Sequence, residues 1–196
     1  MIDLDFFENY GYAVIDNALD KESVKNLFLQ IDQLRQGELM KKAGIGKNEG
    51  FLVDSEKRGD FIFWLNQSDP RAVEVPFLQM LEEVVTALNR NFYLGIRDFE
   101  AHYTHYPSGS RYMPHVDRHQ RNSSRVVSFV FYLNEDWQET DGGQLRIYND
   151  QGGHTDVLPS AGRLAIFLSE KLHEVLITHR DRRSITGWFL NEQKII

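Results

Sequence analysis

Apolar positions recur along this chain at two different spacings. Between residues 20 and 36, DKESVKNLFLQIDQLRQ sets Val24, Leu27, Phe28, Ile31 and Leu34 three and four apart, which lines one face of a helix. Asp20 is the expected N-cap, and Glu22 suits the positive end of the helix dipole. Ser23 stands where a complete capping box would carry Glu or Gln. Leu81, Val84, Val85 and Leu88 form a second helical stripe over 76–91, with Pro76 in its first turn. The intervening stretch 39–60 is rich in Gly, Lys and acids and reads as a mobile loop or a short hairpin.

From residue 98 the pattern changes. FEAHYTHY alternates, and RVVSFVFYLN, GQLRIYN, RLAIFL and RRSITGWFL are short runs of β-branched and aromatic residues, as strands require. Turn signals such as YPSGS, TDGG, NDQGG and LPSAG separate them. Helices first and many short strands afterwards predict an α+β chain, mainly β, with helices on one face of an antiparallel sandwich. No internal repeat, low-complexity tract or linker divides it, so residues 1–196 are expected to form a single domain.

Composition removes several chemistries. There is no cysteine, hence no disulfide, zinc–thiolate site or cysteine nucleophile. A net charge of −7 argues against a general nucleic-acid binder. MIDLDFFENYGYAVID lacks the basic and apolar regions of a signal peptide, and no apolar run approaches the length of a membrane span. A cytoplasmic protein with no nucleic-acid or membrane partner is expected.

Three His-x-Asp pairs occur: His115/Asp117, His154/Asp156 and His179/Asp181. On a strand, residues two apart point to one side, so each pair could grip a metal. Two His and one carboxylate on one face of an octahedron leave open positions, the arrangement of non-haem Fe(II) oxygenases. A second His must come from elsewhere. None follows His179. His154/Asp156 leaves His173 or His179 about one hairpin away, a crowded arrangement. After His115/Asp117 come three strand-like runs, then His173, with Arg182 nine residues further on. The second and seventh strands of a jelly roll lie side by side, which suits this last spacing.

HYPSGSRYMPHVDRH, RVVSFVFYLNEDWQETDGGQLRIY, LHEV and RRSITGWF resemble the 2-oxoglutarate- and Fe(II)-dependent dioxygenases. Within them the likeness is to the prolyl hydroxylases of the hypoxia-inducible-factor type and their bacterial relatives. NYGYAVIDNALDKE and KRGDFIFWL resemble the N-terminal strand and substrate-loop region of that family, and the order holds from about residue 8 to 190. The resemblance implies a double-stranded β-helix (jelly roll) with N-terminal helices packed on one sheet. It implies Fe(II) on His115, Asp117 and His173, with 2-oxoglutarate and dioxygen as cosubstrates and ascorbate as a candidate reductant. The far carboxylate of 2-oxoglutarate would meet Arg182 rather than Arg183, because only Arg182 fits the pattern Arg, any residue, small residue, Ile-Thr-x-Trp. Strand alternation agrees, placing Arg182, Ser184, Thr186 and Trp188 on one face and Arg183, Ile185, Gly187 and Phe189 on the other. Tyr132, Tyr106, Leu145 and Thr186 match further cosubstrate positions. Arg58, Asp60 and Arg125 match positions tied to the substrate cleft, and 39–60 would form a lid. The implied reaction hydroxylates a prolyl residue of a protein substrate and releases succinate and CO2. A translation elongation factor is one candidate substrate.

Plainer readings stand beside these. Tyr132 reads equally well as a core tyrosine, Thr186 slightly better as a core residue, and Arg58/Asp60 equally well as a solvated turn. His102 and His105, among aromatics, read as structural. His154/Asp156 reads as a hairpin edge and HRD at 179–181 as a charged turn. The same chemistry on a free amino acid or small molecule, or a non-catalytic jelly-roll binding module, are the competing functions.

Overall fold

The structure, a computed structural model, describes residues 4–44, 56–118 and 124–192. After a short helix α1 (Asp5–Tyr10) and strand β1 (Tyr12–Ile15), helix α2 spans Lys21–Gln36. Asp20 caps α2 as expected, accepting from the Ser23 backbone N–H at 2.9 Å and from the Ser23 hydroxyl at 2.6 Å. Val24, Leu27, Ile31 and Leu34 form its buried side. Strands β2 (Lys41–Lys42) and β3 (Phe61–Trp64) pair antiparallel. They are the described ends of the expected loop or hairpin; residues 45–55, the centre of the proposed lid, lie outside the described residues. Helix α3 (Val75–Phe92) carries Pro76 in its first turn and buries Phe77, Met80, Leu81, Val84 and Leu88.

Strands β4 (Asp98–Tyr106), β5 (Tyr112–His115), β6 (Arg125–Tyr132), β7 (Leu145–Tyr148), β8 (His154–Val157), β9 (Leu164–Leu168), β10 (His173–Val175) and β11 (Arg182–Leu190) follow. They form a seven-stranded sheet in the order β1-β9-β6-β11-β4-β3-β2 and a four-stranded sheet in the order β5-β10-β7-β8. Every pairing in both sheets is antiparallel. This is the two-sheet, mainly β architecture expected, with the helices against the larger sheet.

Side-chain alternation splits the interior in two. On β6, Val127, Phe129 and Phe131 point outward into a core shared with Leu27 and Ile31 of α2 and Leu81 and Val84 of α3. The Phe77 ring of α3 lies 5.4 Å from that of Phe131. Val130 and Tyr132 of the same strand point inward, joining Leu145 and Ile147 of β7 and Phe167 of β9 between the sheets. Gly187 in β11 is required by close packing, since a Cβ there would stand 2.2 Å from the Glu100 carbonyl oxygen and 2.4 Å from the Phe129 ring. Among the described residues, no helix is long and apolar enough to cross a membrane.

Candidate active site

Strands β5 and β10 bring His115 opposite His173 in the antiparallel register, and their ring centroids lie 4.2 Å apart. Asp117 sits just beyond β5, where its backbone N–H and that of Arg118 both donate to the Ser169 carbonyl, at 3.0 and 2.8 Å. The ligand atoms of His115, Asp117 and His173 all fall within 4.8 Å of one another, and they are the sole such group among the described residues. His154/Asp156 forms no such cluster. Asp156 instead pairs with Arg146 on the neighbouring strand at 2.8 Å, on the edge strand β8. Asp181 of the HRD stretch lies 3.0 Å from Arg35 and 3.2 Å from His105 Nε2. His102 Nδ1 lies 2.9 Å from the Thr104 hydroxyl, a structural use as expected.

Both histidines of the cluster are oriented by the same local device. His115 Nδ1 lies 2.8 Å from the Met113 carbonyl, and His173 Nδ1 lies 2.9 Å from the Lys171 carbonyl. A carbonyl only accepts, so Nδ1 carries the hydrogen in each ring and the Nε2 lone pair is left free. Those Nε2 atoms face Asp117, at 3.7 Å from Oδ1 for His115 and 3.4 Å from Oδ2 for His173. Burial, with His173 alongside, holds His115 down to about 3. Burial alone would raise the Asp117 carboxyl, but His173, His115 and the Ser128 hydroxyl bring it below the usual carboxylate range. A neutral His115 imidazole beside an ionised Asp117 carboxylate is the pair of protonation states in which such groups bind a metal.

Tyr112 stacks on the His115 ring at 3.6 Å, a contact that simple alternation does not predict. Tyr112 and His115 are three positions apart, so in a regular strand they would face opposite ways. The pairing with β10 is irregular here, with His115 opposite His173 and Tyr112 opposite Val175. One extra residue on β5 makes a bulge that turns both rings to one side, and Pro114, which has no N–H to pair, lies within it. Arg58 lies over the Tyr112 ring at 4.7 Å and grips Asp60 with two hydrogen bonds, of 2.7 and 3.0 Å. Asp60 is 1% exposed, so the Arg58–Asp60 pair is a buried brace rather than a solvated turn.

Arg182 is fully buried between aromatic rings, its guanidinium carbon 5.3 Å from the Tyr106 ring and 5.1 Å from the Tyr132 ring. Its Nε donates to the Gly143 carbonyl at 2.8 Å. Gly143 has φ +69°, and a Cβ there would come within 3.0 Å of the Arg182 side chain, so glycine serves both the backbone and the arginine. Arg182 Nη2 and the Tyr132 hydroxyl lie near each other, and neither has a partner in hydrogen-bonding geometry. Burial pushes the Tyr132 hydroxyl up to about 12, so it remains a hydrogen donor. A buried cation and a buried hydroxyl left unpaired are costly, and a carboxylate is the group that would satisfy both. Leu145 and Val130 supply apolar wall in the same inner cluster, and the Phe167 edge meets the His173 ring at 4.6 Å. Thr186 continues the row, its hydroxyl 3.5 Å from that of Ser184.

Arg125 lies over the Trp188 indole at 3.5 Å and bonds Glu100 at 2.9 and 2.6 Å. Trp188 Nε1 has no partner in hydrogen-bonding geometry, although it lies near enough to help hold Asp117 ionised. The structure thus brings His115, Asp117 and His173 together, and gathers Arg182, Tyr132, Tyr106, Leu145 and Thr186 around the inner face. Arg58 and Asp60 stand beside Tyr112, and Arg125 beside Trp188. Tyr112, Ser128 and Ser169 also belong to this region. Ser128 shares the Tyr132 face by alternation, which is visible in the sequence; nothing local in the sequence marks Ser169.

A sequence profile of the 2OG-Fe(II) oxygenase superfamily matches residues 101–190. The chain is 31% identical over 94% of its length to a hypoxia-inducible factor prolyl hydroxylase of Caenorhabditis elegans, and spans 27% of that relative's own length. It is similar to the crystal structure of a Pseudomonas putida prolyl-4-hydroxylase, with 36% identity, a TM-score of 0.86, and coverage of 95% of this chain and 96% of that one. A Trichoplax adhaerens prolyl hydroxylase, solved with a peptide of the hypoxia-inducible factor oxygen degradation domain, matches with 25% identity and a TM-score of 0.84, over 96% of this chain and 87% of that one.

Proposed function

Since the chain belongs to the 2OG-Fe(II) oxygenase superfamily and, within it, to the prolyl hydroxylases, we propose that it hydroxylates a prolyl residue in a protein substrate, using Fe(II), 2-oxoglutarate and dioxygen and releasing succinate and CO2. The observation that carries this reading is a buried guanidinium, Arg182, left with an unpaired Nη2 next to the unpaired Tyr132 hydroxyl, on the same inner lining as a His-Asp-His cluster. That donor set fits a ferrous ion, and the two unpaired donors fit the far carboxylate of 2-oxoglutarate.

When bound, the metal and 2-oxoglutarate activate dioxygen, one atom of which goes to the target carbon and the other to succinate. The remaining work falls to the chain. His115 and His173 present Nε2, held in that tautomer by the Met113 and Lys171 carbonyls. Asp117 supplies the negative charge. Arg182 grips the dicarboxylate while its Nε stays anchored on Gly143, and Tyr132 donates to the same carboxylate. Tyr106, Leu145 and Thr186 line the cosubstrate's flank, and the apolar wall of Val130, Leu145 and Ile147 keeps water from competing. Arg58, Asp60 and Arg125 shape the side where a peptide would enter, through Tyr112 and Trp188.

The protein loaded with Fe(II) and 2-oxoglutarate should be offered a panel of proline-containing peptides, intact elongation factors and free proline. Mass spectrometry should find succinate together with one added oxygen on a prolyl residue of a protein or peptide. Absence of succinate with every substrate would end the reading. Oxygen added only to free proline would replace the protein substrate with a small molecule.

A further inference from the structure

Two buried serines stand behind the cluster. The Ser128 hydroxyl on β6 donates to Asp117 Oδ2 at 2.7 Å, the short range of a hydrogen bond to a charged acceptor. Ser169, one residue past the end of β9, lies with its hydroxyl 2.9 Å from that of Ser128. Both serines are essentially inaccessible, at 1% and 0% exposure. An ionised carboxylate can only accept, so Ser128 must give its hydrogen to Asp117. It then has only a lone pair to offer Ser169, and Ser169 donates to it. The relay therefore runs one way, from Ser169 through Ser128 to Asp117. Ser169 also receives the backbone N–H groups of Asp117 and Arg118 on its carbonyl. One serine thus fixes the backbone of the aspartate and, through its neighbour, the side chain.

Asp117 needs this. It lies beyond the last paired residue of β5, so no strand pairing sets its side-chain direction. Each of the two histidines is braced by the backbone carbonyl two residues before it. The carboxylate is braced instead from the opposite sheet, through β6 and β9, which pair with each other. We propose that Ser128, backed by Ser169, is a positioning residue that holds the Asp117 carboxylate aimed at the metal, so that the ion meets a carboxylate already in place. The inference rests on the metal site of the proposed function, and its test separates the two.

The test is Mn(II) affinity, with Mn(II) as a redox-stable substitute for Fe(II). It is measured on the full chain from the electron-paramagnetic-resonance signal of free ion, without 2-oxoglutarate or substrate. Replacing a group that orients a metal ligand costs about 10- to 100-fold in affinity. Ser128→Ala should therefore weaken Mn(II) binding by about 10-fold or more. Ser128→Thr, which keeps the hydroxyl, should stay within about 3-fold of the parent, and Ser169→Ala should fall between them. A purely structural serine would lower the thermal midpoint without moving the Mn(II) Kd. If Ser128→Ala binds Mn(II) within about 2-fold of the parent, or if Thr loses as much as Ala, the proposal is overturned. Should Ser128→Ala fail to fold, Ser169→Ala decides alone, and an unchanged Kd there overturns it. Failure of the parent protein to bind Mn(II) would instead strike the proposed function.

Discussion

The two faces of β11 are equally hidden from solvent and built on opposite principles. Outward, Ile185 and Phe189 join the core beneath the helices, and the polar residue on that side is fully engaged. Arg183 bonds Asp32 of α2 at 2.8 Å, lies over the Phe28 ring at 4.8 Å, and donates its backbone N–H to Asn134 Oδ1. Inward, Arg182, Ser184 and Trp188 are just as buried, yet Arg182 Nη2, Trp188 Nε1 and the neighbouring Tyr132 hydroxyl lack partners. Burial alone therefore does not distinguish core from site. The pairing of the two arginines does: Arg183 is engaged without a ligand, and Arg182 keeps an unpaired Nη2.

Substitutions on the two faces should therefore part company. The largest effect on folding belongs outside. Phe189→Ala should lose about 3–5 kcal/mol of stability in urea titrations, and a loss under about 1 kcal/mol would show that this face is not the packed core described. Inside, Arg182→Ala should raise the 2-oxoglutarate KM by about 100-fold, the value of a charge-assisted pair near 3 kcal/mol. Arg182→Met should stabilise the ligand-free protein by about 1 kcal/mol while abolishing further stabilisation by 2-oxoglutarate. If instead the Met variant melts earlier, the inner face is structural after all.

His102, opposite Thr186 on β4, tests the inner face by pH. Burial, with Arg58 nearby, lowers it from 6.5 to about 4, so on acidification the unfolded chain takes up the proton first. The stabilisation is complete above the unfolded value and disappears as pH falls toward the folded one. From about pH 7 to pH 5 the loss is about 2 kcal/mol. His102→Gln should flatten the slope of stability against pH over that window, whatever it does to stability at pH 7; an unaltered slope would contradict the assignment. The smallest effect should come from Arg183→Ala, which removes a partly exposed pair. It should cost about 1 kcal/mol of stability and leave the 2-oxoglutarate KM within about 2-fold. Equal KM effects at 182 and 183 would erase the distinction between the faces.

Long elements made this division readable in the sequence. Nine residues of β11 and eight of β6 give alternation enough turns to separate Arg182 from Arg183 and to place Ser128, Val130 and Tyr132 together. The 16 residues of α2 similarly exposed their stripe. Short elements did not reveal themselves. Strand β10 has three residues and β5 four, too few to show a period, and the bulge at Pro114 reverses the face on which Tyr112 would otherwise fall. Arg58 and Asp60 look like surface residues because charge predicts solvent, and only their mutual pairing allows them inside. Ser169 is a common residue brought to Ser128 across 41 positions of chain, and a distance of that kind leaves no local trace.

The pairing of His115 with His173 has one more consequence. Strand β10 is short, and its neighbours could accept it one position out of step. In that arrangement Leu172 or Glu174 would stand across from His115, and the displaced imidazole would point away from the ion. A bound cation would thus reward only the correct alignment of two brief strands, acting as a proofreader of the smaller sheet as well as a reagent.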